Sequence, residues 1–160
     1  MQIGCLKIFT KLKNNSVKLI KNTVRGLMKT NLLVHKHLIV RAESKQPPDN
    51  EEAVMKWMKD FIESLEMKIF IGPHAKYCHM EGNRGLTAMA IIETSHIVMH
   101  VWDEPNPALI QLDIYSCGDF DEHDICKKIS KDFQLSKIEY KYLNRETGLT
   151  DISGGILNYR

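Results

Sequence analysis

The sequence has no apolar stretch of the roughly 20 residues needed to cross a bilayer, and it has no signal peptide with an apolar core. Only four cysteines are present, and they show neither a C-x-x-C pair nor the spacing of a metal site. These absences exclude a membrane-spanning protein and a disulfide-rich secreted scaffold. We predict a soluble protein of the reducing cytoplasm.

Acidic residues are missing from the first 27 positions, which hold six lysines and arginines. The formal net charge of the whole chain is +2, so the rest of the chain is mildly acidic. A body with this balance lacks the basic surface that nucleic-acid binding requires. We predict that residues 1–27 are a poorly ordered or weakly helical extension. A targeting peptide or an anchor to an anionic surface is the alternative.

A length of 160 residues with 43% hydrophobic and 26% charged content is typical of one globular domain with a buried core. We predict that this domain spans residues 28–148. Residues 149–160 contain Gly154 and Gly155 and show little apolar periodicity, so they are predicted to be a flexible tail.

Two segments show the apolar spacing of helices, 51–66 and 121–133, and Pro47-Pro48 ends the chain segment before the first. The other apolar segments are rich in β-branched residues or alternate with polar ones, which indicates strands. The predicted strands are 31–42, 67–71, 75–79, 86–93, 97–102, 109–115 and 137–143. Runs of antiparallel strands with two helices predict an α+β two-layer sandwich, in which one sheet carries both helices on a single face.

Three motifs follow one another in the middle of the chain. The first is Gly85-Leu86-Thr87, the second runs from Thr94 to Glu104 as T-S-H-I-V-M-H-V-W-D-E, and the third is D-I-Y-S-C-G at 113–118. They resemble the bacterial and archaeal S-adenosylmethionine decarboxylases, whose pattern is G-V-S/T, E-S-H-x-x-x-H-T-W-P-E and D-x-F/Y-T/S-C-G. The resemblance extends more weakly from His37 to about Gly148.

The resemblance implies that Ser95 is converted to a pyruvoyl group when the chain cleaves itself between Thr94 and Ser95. Such a ketone forms a Schiff base with the substrate amine and withdraws electrons as carbon dioxide leaves, so neither a metal nor pyridoxal phosphate is expected. His100 matches the base that acts during processing. Thr87 matches the hydroxyl residue that stabilises the processing intermediate.

Further roles follow from the same resemblance. Cys117 matches the cysteine that returns a proton to the substrate carbon, Glu104 matches a carboxylate at the substrate site, and Trp102 offers an aromatic wall. The implied activity is decarboxylation of S-adenosylmethionine, a small-molecule substrate, in spermidine and other polyamine synthesis. The implied assembly is a homodimer with sites at the interface.

Two positions depart from the family pattern. Thr94 stands where a glutamate usually precedes the serine, which removes a charge and places a β-branched residue at the bond to be cut. Glu81 stands where an aromatic residue is more usual. An acid there suits a cationic side chain better than a nucleobase, so ornithine or arginine is the alternative substrate.

Taken without the resemblance, the same residues have simpler explanations. Cys117 before Gly118 is typical of a small buried residue at the end of a strand. His96, His100 and Trp102 fall on one face of a strand, as an ordinary core or interface cluster would. An unprocessed, non-enzymatic relative with a binding or regulatory role is therefore the rival hypothesis.

Overall fold

The computed structural model describes residues 34–159, in which alternating apolar residues build one antiparallel sheet. The strands are β1 (Lys36–Ser44), β2 (Ile69–Cys78), β3 (Gly85–Ile92), β4 (Ser95–Trp102), β5 (Ala108–Ser116), β6 (Leu135–Asn144) and β7 (Thr150–Asn158). They lie in the order β2-β3-β4-β5-β1-β6-β7, so the strand that comes first in the described residues is near the middle.

Two helices cover one face of the sheet. Helix α1 (Glu51–Ser64) follows β1, and helix α2 (Glu122–Asp132) follows β5. Each begins at a side chain that accepts a backbone hydrogen bond, from Ala53 N–H to Asn50 and from Asp124 N–H to Asp121. Neither helix is both long and apolar enough to span a membrane.

The core lies between the helices and the sheet. Strand register places Leu38, Ile114 and Ile97 side by side, and all three are fully buried. Helix α1 adds Met58 and Phe61 to the same apolar cluster, to which the second helix also contributes Ile125, Cys126 and Ile129. The predicted two-layer α+β sandwich is therefore confirmed.

The opposite face of the sheet carries no helix within residues 34–159, and we call it the open face. It is not uniformly polar, as the water-facing side of an antiparallel sheet usually is. Large apolar side chains stand on it at 40–58% exposure, namely Ile39, Met89, Ile91 and Ile156. Thr87, His100 and Asp113 of the sequence motifs lie among them.

The sequence prediction is wrong at two places in the sheet. Residues 69–71 and 75–78, predicted to lie in two separate strands, belong to the single strand β2, which continues through Pro73 with a register shift before His74. An edge strand tolerates a proline because one side of it makes no ladder hydrogen bonds.

The predicted flexible tail is likewise a strand, since β7 pairs with β6 from Thr150 to Asn158. Gly154 breaks the apolar alternation, so the sequence pattern did not indicate this strand. A larger residue does not fit at this position, because its Cβ atom would lie only 2.9 Å from the Tyr140 carbonyl oxygen. The proposed extension 1–27 and the proposed domain start at residue 28 lie outside the described residues.

The packing of the core predicts that alanine substitutions at two phenylalanines have very different effects on stability. Phe61 is 1% exposed and stacks on Trp57 at 4.9 Å between ring centroids, whereas Phe70 is 71% exposed. Phe61→Ala is expected to lower the free energy of unfolding by about 3–5 kcal/mol because it leaves a cavity. Phe70→Ala is expected to change it by less than about 0.5 kcal/mol. Urea denaturation of both variants checks this, and equal losses would contradict the packing described.

Candidate active site

The bond between Thr94 and Ser95 lies in a tight turn that joins β3 to β4. Ile92 and Ser95 are register partners, so only Glu93 and Thr94 form the turn. Ser95 has a φ of 146°, which a residue with a side chain rarely adopts. Such a conformation costs on the order of 1–3 kcal/mol. Backbone strain is therefore present at the residue predicted to attack its neighbour.

The carbonyl group of Thr94 is held by the backbone of β5's end. Cys117 N–H donates to the Thr94 oxygen at 2.9 Å, next to the register pair Ser95 and Ser116. Gly118 N–H donates to the Ser116 hydroxyl at 2.9 Å and fixes the segment that carries the cysteine. A donor fixed in this way stabilises negative charge that develops on the carbonyl oxygen.

The Thr94 side chain makes a second unfavourable contribution to the free energy of folding at the turn. Its hydroxyl oxygen is buried and has no hydrogen-bond partner, although its methyl group packs near Gly118. A buried hydroxyl without a partner costs about 1–3 kcal/mol. We call Thr94, Ser95 and Cys117 the cleavage-site group.

Thr87 and His100 form a second group, on neighbouring strands. They are register partners, and Thr87 Oγ1 lies 2.9 Å from His100 Nδ1, which fixes the orientation of the imidazole. The Trp102 ring lies 5.7 Å from the His100 ring, and its Nε1–H donates to Asn83 at 2.9 Å. These residues line a cavity of about 270 Å³ together with Cys78 and Gly85. We call Thr87, His100 and Trp102 the histidine group.

Gly85 closes one side of this cavity and has to be glycine. Its φ is 148°, and an added side chain would begin 1.8 Å from the Val101 carbonyl oxygen. The first motif therefore contains a glycine because β3 and β4 approach each other too closely for a side chain at this position. Thr87 is placed opposite His100 as a consequence.

Glu104 holds the loop between β2 and β3. Its carboxylate oxygens accept from Gly82 N–H at 3.0 Å and from Arg84 N–H at 3.2 Å. Glu81, another predicted substrate residue, lies exposed on the same loop. The Glu104 carboxylate is therefore engaged with the backbone beside Glu81.

Asp103 reinforces the same loop. It accepts from Arg84 Nε–H at 2.7 Å and from the hydroxyl of Tyr77. The hydrogen bond from Tyr77 and then the Arg84 guanidinium hold the pKa of Asp103 below its ordinary value. The same carboxylate raises the pKa of Tyr77. Asp103 thus remains a carboxylate and keeps the loop in place.

One chain does not bring the two groups together. Ser95 and His100 lie five residues apart on one extended strand, which corresponds to roughly 16 Å. Alternation also places His100 on the open face, whereas Ser95 lies at the turn where the strand begins. The structure therefore joins Ser95 with Cys117 and Thr87 with His100, but leaves these pairs apart.

A groove of about 790 Å³ crosses the open face between β4 and β7. It is lined by His96, His100, Gln111 and Asp113 on the polar side, and its apolar lining includes Ile39 and Ile156. Within residues 34–159, no three histidine, cysteine or acidic residues are grouped as metal ligands would be.

Sequence reasoning gave no role to Asp113, which bridges two histidines on the open face. Its Oδ2 lies 2.8 Å from His37 Nε2, and its Oδ1 lies 3.2 Å from His96 Nε2. The Tyr115 ring packs against both imidazoles, with centroids 5.9 and 5.7 Å away. Alternation along each strand would have placed these residues on one face, but the pairing of β1 with β5 is not visible in the sequence.

A family sequence model described as S-adenosylmethionine decarboxylase matches residues 36–146. The S-adenosylmethionine decarboxylase proenzyme of Prochlorococcus marinus is 32% identical over 76 residues, which are 47% of this chain and 60% of that protein. The proenzyme of the same name from Archaeoglobus fulgidus is 24% identical over 112 residues, 69% of this chain and 89% of that protein. That from Pyrobaculum islandicum is 39% identical over 57 residues, 36% and 41% of the two chains.

Proposed function

Since the chain belongs to the S-adenosylmethionine decarboxylase family, we propose that it is a pyruvoyl-dependent decarboxylase of S-adenosylmethionine that cleaves itself between Thr94 and Ser95. The observation that carries this proposal is the hydrogen bond from Cys117 N–H to the Thr94 carbonyl oxygen, beside a Ser95 of unfavourable φ. The proposed setting is spermidine synthesis in the cytoplasm, where reducing conditions keep Cys117 a thiol.

Cleavage begins when the Ser95 hydroxyl oxygen attacks the Thr94 carbonyl carbon. The bond from that carbon to the nitrogen of residue 95 then breaks, the hydroxyl proton passes to this nitrogen, and an ester replaces the amide. Cys117 N–H, already 2.9 Å from the carbonyl oxygen, stabilises the charge that forms there. A base then removes the proton from the Ser95 α-carbon, the bond from Cβ to Oγ breaks, and Thr94 leaves as a carboxylate. Hydrolysis by water releases the nitrogen of residue 95 as ammonia and leaves a ketone.

The position of Ser95 suits such a group, because a cut before the first residue of β4 leaves that strand paired with β3 and β5. A pyruvoyl ketone supplies the electron sink that decarboxylation of an amino acid requires. We assign the Cys117 thiol to return a proton to the substrate carbon. Its backbone is fixed beside residue 95 by the same hydrogen bond that acts in cleavage.

We further propose that two copies of the chain pair through their open faces. The exposed Ile39, Met89, Ile91 and Ile156 give this face an apolar surface that a partner would cover. Ser95 and His100 are too far apart to meet within one chain. A two-fold pairing of open faces lets His100 of a second copy act as the base at Ser95.

A specific observation favours one alternative class of substrate. The Glu104 carboxylate accepts hydrogen bonds from loop amides, and Glu81 is an exposed acid on the same loop, whose Asn83 lines the cavity beside Trp102. An acid on this loop favours a cationic amino acid. Ornithine or arginine is therefore the alternative substrate for the same chemistry.

Mass spectrometry of the purified protein tests the proposal. The expected result is two fragments, residues 1–94 and 95–160, of which the second reacts with a carbonyl reagent. Release of carbon dioxide from S-adenosylmethionine, ornithine and arginine, measured in parallel, identifies the substrate. An intact chain after long incubation, with no release from any of the three, would support the non-enzymatic binding or regulatory role instead.

Replacing Cys117 with alanine separates its two roles. The variant keeps the backbone N–H, so cleavage is expected to proceed. Loss of the proton donor is expected to lower carbon dioxide release by about 100-fold or more. Cys126→Ala is the matched control, because that thiol is buried in α2, where burial raises its pKa to about 11. Its cleaved form should retain full activity per folded molecule, and equal losses in both variants would contradict the assignment.

A further inference from the structure

Cleavage removes the covalent link that fixes the position of residue 95 in the intact chain. This inference rests on the proposed function, in which residue 95 becomes a free chain end. The turn of Glu93 and Thr94 no longer ties β4 to β3 after the cut. Terminal residues fray unless side chains or neighbouring strands hold them. A reacting group must nevertheless be held within about 0.5 Å of its productive position.

The residue next to the new end is anchored by its side chain. His96 Nε2 lies 3.2 Å from Asp113 Oδ1, and the other carboxylate oxygen lies 2.8 Å from His37 Nε2. The His37 side chain is only 14% exposed and belongs to β1, which lies between β5 and β6. Asp113 therefore connects the start of β4, across its own strand, to a half-buried histidine on β1.

The Tyr115 ring completes the anchor. It lies against both imidazoles, and its hydroxyl oxygen is 2.7 Å from His35 Nδ1. The Arg145 guanidinium covers the ring at 4.1 Å from its centroid. These contacts limit the rotation of His96 and keep its Nε2 directed at Asp113. None of them involves Glu93 or Thr94, so all of them survive cleavage.

We propose that the His37–Asp113–His96 bridge holds the cut end of β4 in register, and that Asp113 is a positioning residue for decarboxylation. In the uncut chain the turn and the bridge act together, and either suffices. In the cut chain the bridge is the side-chain anchor nearest to residue 95. The bridge therefore contributes more to holding residue 95 in register after cleavage than before it.

Hydrogen exchange in cut and uncut protein tests this difference. Asp113→Ala is made in the wild-type background and in the Ser95→Ala background, which retains the turn. In the cut protein, loss of a hydrogen bond to a charged group is expected to speed amide exchange at residues 96–98 by about tenfold. In the uncut background the change is expected to stay below about twofold, because the turn still closes the end of the hairpin. Any effect on pairing of two copies is common to both backgrounds and cancels.

Two variants and a kinetic measurement complete the experiment. Asp113→Asn keeps one acceptor oxygen and is expected to restore slow exchange in part, together with part of the lost kcat. Asp151→Ala removes an exposed carboxylate that pairs with Lys141 on β6, and it should leave exchange at 96–98 unchanged. In Asp113→Ala we expect kcat for carbon dioxide release to fall about tenfold with a smaller change in KM.

The outcomes distinguish the two proposals. Equal acceleration of exchange in cut and uncut protein would overturn the positioning role and leave the proposed function intact. Normal exchange and normal kcat in cleaved Asp113→Ala would do the same. A wild-type chain that never cuts itself would overturn the proposed function, and the role of the bridge with it.

Discussion

Replacing Ser95 with alanine is expected to leave a single chain of 18.5 kDa after incubation that converts wild-type protein fully into two fragments. Alanine has no hydroxyl to attack the Thr94 carbonyl carbon, although the hydrogen bond from Cys117 N–H to that carbonyl stays in place. Without the ester, the Cβ to Oγ elimination has no bond to break. Cleavage, reaction with a carbonyl reagent and carbon dioxide release should therefore be lost together.

Ser130→Ala is the control for this experiment. Ser130 is half-buried on α2, and its hydroxyl donates only to the Lys127 carbonyl of the same helix. Mass spectrometry and circular dichroism should show a normally folded, normally cleaved protein. A Ser95→Ala chain that still divides between residues 94 and 95 would show that another group supplies the nucleophile.

Mixing two inactive variants is expected to restore cleavage in only one of them. His100→Ala chains retain Ser95 but lack the proposed base, and Ser95→Ala chains retain His100. Along β4 these positions are separated by roughly 16 Å, so His100 reaches Ser95 only from another copy. In a co-expressed mixture, about half of the His100→Ala chains would have a Ser95→Ala partner and would be cleaved if chains pair at random.

An affinity tag on the Ser95→Ala chain makes the result unambiguous. Cleaved His100→Ala fragments should co-purify with the tagged intact chain, and mass spectrometry identifies them. A pair of variants that both carry His100→Ala serves as the control and should stay intact. Cleavage of His100→Ala alone, at the wild-type rate, would remove His100 from the reaction. Failure of the mixed pair to cleave, despite co-purification, would place the base within the same chain.

Local patterns in the sequence predicted most of the fold correctly. The apolar spacing of Val54, Met58 and Phe61 predicts α1 and its buried face, and the structure confirms both. Alternation in β5 gives the same result, with Ile110 and Leu112 buried and Gln111 exposed. These predictions succeed because the side-chain period of an element depends on its own backbone geometry.

The failures concern features that depend on a neighbour. Strand β7 was missed because Gly154 and Gly155 carry no apolar side chain. Their small size matters because Tyr140 on β6 lies close to both positions. The joined strand β2 was missed because Pro73 is acceptable only at an edge, and the sequence does not reveal which strand is an edge. The Asp113 bridge was missed because its partner His37 lies 76 residues away.

The sequence by itself determined the residue types of the candidate chemistry and the family to which they belong. It placed Ser95, His100 and Cys117 in an order that a family pattern matches, and that order is a property of the chain alone. Only the tertiary structure decided which of them meet, because strand pairing is made of contacts between distant residues. It put Cys117 against the Thr94 carbonyl, kept His100 five residues away from Ser95 along an extended strand, and placed Asp113 between two histidines.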